Sequence, residues 1–218
     1  MKAIIIAAGL GKRISSNLSE LPKALIQVNG VSIISRQISL FKKNGINEII
    51  VITGPFKEKF PMMDVTYVHD EKFEDHDILG SLMEAREHIC NDTIITYSDI
   101  IFEDSILKSI LQANFDIGIA VDLDWKIGYE NRKLHPISEA ENILFDNSRN
   151  ILEVRKNIQN SNLEVGEFLG IIKLSNNGCK LLLKKYNEIR NKNKCPFHDA
   201  KSVTKAYITD MVQELIES

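Results

Sequence analysis

The sequence predicts a single α/β domain over residues 1–218, built on a doubly wound, mostly parallel mixed sheet, and three observations predict it. The chain opens on an unbroken apolar run at 3–7, Ala-Ile-Ile-Ile-Ala, that stops at Ala8-Gly9-Leu10-Gly11; a short run without polar alternation is the pattern of a strand buried on both faces. A helical pattern at 33–44 and a second apolar run at 48–53 follow, and a crossover of that length pairs the two strands in parallel with their tips on one edge. The length of 218 residues and a hydrophobic content of 44% suffice to bury one large core.

The first strand leads into a turn of small residues. Ala7, Ala8, Gly9 and Gly11 let the backbone fold closely and aim several N–H groups at one anion, and Lys12 and Arg13 follow at once. Pro22 then stiffens the approach of a third cation, Lys23. By residue type alone this stretch suits either a turn with solvated cations or a polyphosphate cradle. Ile14 rules out the Gly-x-Gly-x-x-Gly dinucleotide pattern, and no Gly-Lys-Ser/Thr P-loop is present.

Farther on, Asn29-Gly30 marks a turn and Ser32 a helix N-cap, with Ile34, Ile38 and Phe41 as the buried stripe and Gly45 as the stop. The strand at 48–53 ends on Thr53 and Gly54, which should share a crevice with Gly9 and Gly11, and a nucleotide base is expected near that tip. A strand at 65–68, a charged connection at 70–77 and a helix at 78–88 come next. His76 in that connection reads as solvated or as a base contact. The strand at 93–97 ends on Ser98-Asp99, and an acidic residue at the tip of a central strand facing phosphates is where a Mg²⁺ ligand belongs. Asp99 could instead cap a turn, but Asp104 or Ser105 fills that role for a helix at 105–112.

After a strand at 117–121 comes an excursion over 121–141 in which Asp122, Asp124, Trp125, Tyr129, Arg132 and His135 lie close in sequence. Arg132 suits a phosphate or phosphonate, and the two rings with the aspartates suit an ammonium; the alternative is a surface flap whose Trp125 and Tyr129 pack back on the sheet. Strands at 151–155 and 166–174, a helix at 176–190 with Leu181, Leu182 and Tyr186 inward, and a last helix capped by Ser202 complete the chain.

Ala-Ala-Gly-Leu-Gly-Lys-Arg after a strand, followed by Leu-Pro-Lys-Ala-Leu, resembles the signature of the MobA-like and sugar-phosphate nucleotidyltransferases, a Rossmann-like fold. Asp-x-Asp-Trp followed by Tyr, Arg and His-Pro resembles the phosphocholine and phosphonate cytidylyltransferase branch. The resemblance implies transfer of CMP from CTP to a small phosphorylated or phosphonylated acceptor with release of pyrophosphate, and Mg²⁺ as cofactor. It implies that the glycine loop, Lys12 and Arg13 hold the β and γ phosphates, that Lys23 reaches the α phosphate, and that Gly80 and Ser81 belong to the base-reading segment, where His76-Asp77 stands in place of a frequent Asn. Lys156 would reach the acceptor phosphate, with Lys173 a weaker candidate, and Glu167 would meet an acceptor amine. Relatives carry a second magnesium aspartate on a final strand beyond a segment like 207–211; this chain reaches Ser218 without it, and Asp210 is expected to be solvated. The alternatives are a sugar-1-phosphate uridylyl- or thymidylyltransferase, and a nucleotide-binding regulatory domain without turnover.

A formal charge of −3 offers no bulk attraction to nucleic acid or an anionic membrane, and the first apolar run is too short to span a bilayer. A cytoplasmic enzyme is therefore expected, with its assembly open between monomer and homodimer. Cys90, Cys179 and Cys195 are odd in number and widely spaced, which fits neither a disulfide framework nor a zinc site.

Overall fold

A computed structural model describes residues 1–9, 21–130, 132, 136–158, 162–192 and 195–218. Strand β1 (Lys2–Ala7) is buried from Ala3 onward and sends alternate side chains into two layers: Ile4 and Ile6 into one core, Ala3, Ile5 and Ala7 into the other. That is why its sequence is apolar without alternation. A small hairpin, β2 (Gln27–Val28) and β3 (Val31–Ser32), turns at Asn29 and Gly30 with φ of 52° and 75°, two left-handed positions that suit an Asn-Gly pair. The Ser32 hydroxyl accepts from the Ser35 N–H at 3.3 Å and starts α1 (Ile33–Lys43), which Gly45 ends at φ 79°.

Strand β4 (Glu48–Thr53) lies parallel to β1, from Lys2 opposite Glu48 to Ala7 opposite Thr53. The two tips meet closely: a Cβ on Gly54 would stand 2.3 Å from the Ala8 carbonyl oxygen, so only glycine permits this approach. Strand β5 (Thr66–His69) adds a parallel edge beside β4. The helix expected over 78–88 is divided into α2 (Ile78–Glu84) and a 3-10 turn, Arg86–His88. Strand β6 (Thr93–Tyr97) lies parallel to β1 on its other side. The next helix, α3 (Asp104–Gln112), has Glu103 at its N-cap position; Asp104 lies in its first turn, bonded to Asn44, Lys43 and Lys108 rather than capping.

The remaining strands are β7 (Ile117–Asp122), β8 (Glu141–Phe145), β9 (Ile151–Lys156) and β10 (Glu164–Leu174). The sheet runs β5-β4-β1-β6-β10-β8-β9, with β7 also beside β10. Its first four strands are parallel; β10 reverses direction against β6 and pairs antiparallel with β7 and β8, and β8 with β9. Strand β10 is 11 residues long and changes partner along its length, with a register shift between Phe168 and Ile172 around Gly170 at φ 76°.

Strand β8 has no counterpart in the sequence expectation, where the excursion ends at Glu141, the first residue of this strand. Helix α4 (Asn176–Asn191) buries Leu182 and Tyr186 as expected but turns Leu181 outward, 42% exposed. Ser202 precedes only the 3-10 turn Val203–Lys205; α5 (Ile208–Ile216) is capped by a reciprocal box between Tyr207 and Asp210. Helices α2, α4 and α5 cover one face of the sheet, and α1 and α3 the other. Among the described residues no helix is long and apolar enough to cross a membrane.

Candidate active site

A cleft in two lobes opens along the C-terminal tips of β1 and β6. The first lobe, about 510 Å³, has Ala7, Ala8 and Gly9 as its floor and Lys23, Ser81 and Asp99 on its walls. The second, about 780 Å³, lies toward β9 and α5 and is lined by Arg155, Lys156, Lys201 and Asp210 among others. Asp77, Glu141, Lys205 and Tyr207 line both, so the two volumes adjoin.

Lys23 enters the first lobe from the turn that follows Pro22, and its Nζ lies 2.9 Å from an Asp99 carboxylate oxygen. Asp99 is itself held in place from below. Gln37 of α1 donates through Nε2 to the carbonyls of Tyr97 at 2.9 Å and Ile100 at 2.8 Å, and its Oε1 accepts from Thr96 at 3.0 Å. The loop bearing Asp99 is thereby clamped on both sides by one buried amide. The clue in the sequence is a lone polar residue inside an otherwise apolar helical stripe.

Glu141, at the head of β8, stands between the lobes. The Thr209 hydroxyl donates to it, and burial pushes its carboxyl above the ordinary value despite that bond and the nearby Lys156 ammonium. Asp210 is also raised by burial, partly offset by the Tyr207 N–H that it accepts at 2.8 Å. Asp210 is therefore half-buried and faces the cleft, which corrects its expected solvation. Burial holds the Tyr97 phenol well above its ordinary value, and Glu141, Tyr207, Asp99 and Asp210 oppose its ionisation further. Asp99 thus lines the first lobe, Asp210 the second, and Glu141 and Asp77 both. Lys156, on the second lobe, pairs with Glu139 at 2.7 Å, which raises its pKa, and its Nζ stands 5.7 Å from the centre of the Tyr207 ring.

Several expected contacts lie elsewhere. Trp125 and Tyr129 are 5% and 8% exposed and form a satellite core with Ala140 and Val165. Trp125 donates its ring N–H to the Val165 carbonyl at 3.2 Å, and Tyr129 donates its hydroxyl to Glu167. The Arg132 guanidinium covers the Tyr129 ring at 4.6 Å. Asp122 accepts from the Asp124 N–H at 2.9 Å in a turn that starts the Trp125–Tyr129 segment. These contacts are internal, and none of Asp122, Asp124, Trp125, Tyr129, Arg132 or Glu167 lines either lobe. The expected open aromatic faces are corrected to a packed flap, because the antiparallel strand β10 brings Val165 and Glu167 beneath them.

Thr53 is buried and bonded within the sheet, and Gly54 serves the close approach of the tips. Gly80 is a packing glycine: a Cβ there would lie 2.4 Å from the Thr204 carbonyl oxygen. Lys173 is buried with its Nζ donating to the carbonyls of Leu111 and Ala113, which removes it as an acceptor ligand. His76 is buried against Asp70 and is therefore not a solvated loop residue. Gly11, Lys12, Arg13 and His135 lie outside the described residues. Gln37, Glu141, Lys205 and Tyr207 are cleft or support residues that sequence reasoning missed; only Gln37 carries a sequence signal.

A floor of small residues at a strand tip, a lysine–aspartate pair on its wall and an adjoining charged lobe suit a protein whose ligand carries phosphates. The family model of the MobA-like NTP transferase domain matches residues 3–135, and the chain belongs to that family. The choline-phosphate cytidylyltransferase of Streptococcus pneumoniae is 35% identical over 119 residues, covering 53% of this chain and 52% of that protein, so the match spans about half of its length. The CTP:phosphoglutamine cytidylyltransferase of Campylobacter jejuni is 25% identical over 228 residues, 100% of this chain and 88% of that one. A solved structure of the CTP:phosphocholine cytidylyltransferase from Streptococcus pneumoniae superposes with a TM-score of 0.72 over 99% of this chain and 85% of that chain, at 22% identity, which establishes the fold.

Proposed function

We propose that this chain transfers CMP from CTP to a small phosphorylated or phosphonylated acceptor bearing an amine, with release of pyrophosphate and with Mg²⁺ as cofactor. The observation that carries the reading is the Lys23–Asp99 pair at 2.9 Å over the floor of Ala7, Ala8 and Gly9. The names of the pneumococcal and Campylobacter relatives support CTP and a phosphorylated acceptor.

The chemistry asks little of the protein in covalent terms. An acceptor phosphate or phosphonate oxygen, already anionic, attacks the α phosphorus; the bond from that phosphorus to the bridging oxygen breaks, and pyrophosphate leaves with the electrons. Catalysis is then alignment and neutralisation of charge. In this reading the small-residue floor holds the triphosphate, Lys23 reaches the α phosphate, and Lys156 with Lys205 brings up the acceptor anion. Asp99 would be the protein's ligand to Mg²⁺, with nucleotide oxygens completing the set; the ion would supply charge neutralisation when bound. In this reading Glu141 and the Tyr207 ring, which line the cleft, would receive an acceptor ammonium in place of Trp125 and Tyr129, which do not.

The test is a pyrophosphate-release assay with each nucleoside triphosphate against phosphocholine, 2-aminoethylphosphonate, other phosphorylated amines and glucose 1-phosphate, with and without Mg²⁺. Metal-dependent turnover of CTP with an amine-bearing acceptor is expected. Faster turnover with glucose 1-phosphate than with every amine overturns the acceptor reading.

A further inference from the structure

A third cavity, about 270 Å³, lies where the connection at 70–77, the end of α2, helix α4 and the turn before α5 meet. Among the described residues it shares His76 with the first lobe and nothing with the second. Three cations from three segments line it: Lys72 from the connection, Arg86 from the 3-10 turn after α2, and Arg190 from α4. Against them stands one carboxylate, Glu84. Among the described residues none of the three cations is in an ion pair. The one hydrogen bond their side chains make, from Arg86 Nη1 to the Met83 carbonyl at 3.2 Å, leaves the rest of that guanidinium to serve another group.

Tyr186 brings a buried hydroxyl to the same place. It precedes Arg190 by one turn of α4, so the two side chains lie on one face of that helix. The residue is 5% exposed and its ring packs into the core, yet among the described residues its hydroxyl has no hydrogen-bond partner. A buried phenol O–H ordinarily has one. Burial raises the pKa of this phenol, Arg190 and Arg86 act to lower it, and Glu84 acts to raise it. All three of these charges line the cavity, so the phenol oxygen lies among the cavity's own charged groups. An uncommitted donor and three cations around one volume are the complement of an anion.

The volume narrows the choice of anion. It stands at the lower end for an organic ligand and well below the first lobe, so a phosphate group with a small substituent suits it and a nucleotide does not. Arginine forks and a phenol O–H hold phosphate oxygens through directed bonds, and a lysine adds a point charge. We propose that this pocket is a second anion site, separate from the cleft, in which Arg86, Arg190, Lys72 and the Tyr186 hydroxyl bind a phosphate group, either the free ion or that of a small phosphate monoester. The site does not depend on the CTP reading, and each stands or falls by its own measurement.

The experiment is calorimetric titration with inorganic phosphate and, separately, with glycerol 3-phosphate, at constant ionic strength. It compares the wild type with Arg190→Gln, Tyr186→Phe, Glu84→Gln and Lys23→Ala. Arg190 and Glu84 are exposed and phenylalanine keeps the ring of Tyr186, so these variants should fold. We expect a binding component that weakens about tenfold or more in Arg190→Gln and by a smaller factor in Tyr186→Phe. The same component should tighten in Glu84→Gln, where the opposing carboxylate is gone, which loss of structure does not produce, and should persist in Lys23→Ala. Tighter binding of the ester assigns the pocket to a phosphorylated compound and tighter binding of the free ion assigns it to phosphate itself; either supports the site. Absence of binding to the wild type overturns the proposal, as does an affinity unchanged in Arg190→Gln. Loss of the component in Lys23→Ala places the ion in the cleft and overturns it as well.

Discussion

The two lobes of the cleft are built on opposite plans. The first sits on parallel strands whose order in space follows from strand–helix–strand units close in sequence, and its floor is the backbone where β1 stops. The second is assembled from antiparallel β8 and β9 and from the capped start of α5, segments far apart in the chain. In the parallel half the backbone forms the site, so its position follows from where an apolar run ends. In the antiparallel half side chains form it, and their position depends on which strands happen to pair.

The largest expected effect breaks the first lobe alone. Replacing Lys23 by alanine removes a charge-assisted contact to the developing transition state, so kcat should fall by ~10²-fold or more while the melting temperature stays near that of the wild type. Steady-state kinetics with thermal melting checks this; full activity places the phosphate contact elsewhere. Asp99→Asn should likewise flatten the dependence of rate on Mg²⁺ concentration, and a metal titration that overlays the wild type would move the ligand to another carboxylate.

The next effect concerns the flap over β10. Trp125→Ala should cost about 3–5 kcal/mol of stability by denaturant unfolding, the range for a large aromatic removed from a packed site. Its surviving active fraction should show no selective rise in KM for the acceptor. A selective rise with unchanged stability would return the tryptophan to the acceptor site.

A smaller effect tests the junction between the lobes. Because burial raises the Glu141 carboxyl, its ionised form is disfavoured in the folded protein relative to the unfolded chain. The stability associated with this group is therefore fully present below its ordinary value of 4.5 and is lost as pH rises through the folded value. Glu141→Gln should accordingly raise the melting temperature by a few degrees near pH 7 and converge with the wild type in acid, while weakening the acceptor KM roughly tenfold. A melting difference of the opposite sign would mean that the nearby Lys156 ammonium outweighs the burial of this carboxylate. The smallest effect is expected at Leu181→Ser, within about 0.5 kcal/mol because that side chain faces solvent, against about 2–5 kcal/mol for its buried neighbour in Leu182→Ala.

How much was legible follows the same division. The apolar runs at β1, β4 and β6, the Asn29-Gly30 turn, the Ser32 cap and Gly45 each announce themselves through local chemistry, and Asp99 is legible because it follows a buried strand. Strand β8 is not, since nothing local marks Glu141–Phe145 as a strand until β9 and β10 flank it. Trp125 and Tyr129 mislead for the same reason. Aromatic and acidic residues close in sequence suit a ligand or a core equally well, and Val165 and Glu167, some 40 positions on, decide the outcome. Leu181 beside Leu182 shows that a pair of adjacent leucines on a helix leaves open which of them faces inward.

Lys173 carries its charge where few lysines do. Its Nζ is held at 3.0 Å and 2.7 Å by the carbonyls of Leu111 and Ala113 at the end of α3 and lies 5.1 Å from the centre of the Phe115 ring. Carbonyls left without partners at a helix end stabilise a cation there, so the ammonium fastens α3 to the central strands. An amine-reactive reagent needs an accessible nitrogen, and here access is withheld while the fold stands. Brief acylation of the native protein followed by peptide mapping should therefore leave Lys173 unlabelled while Lys57 and Lys184 react, and its labelling under mild denaturant should time the release of α3 from the sheet.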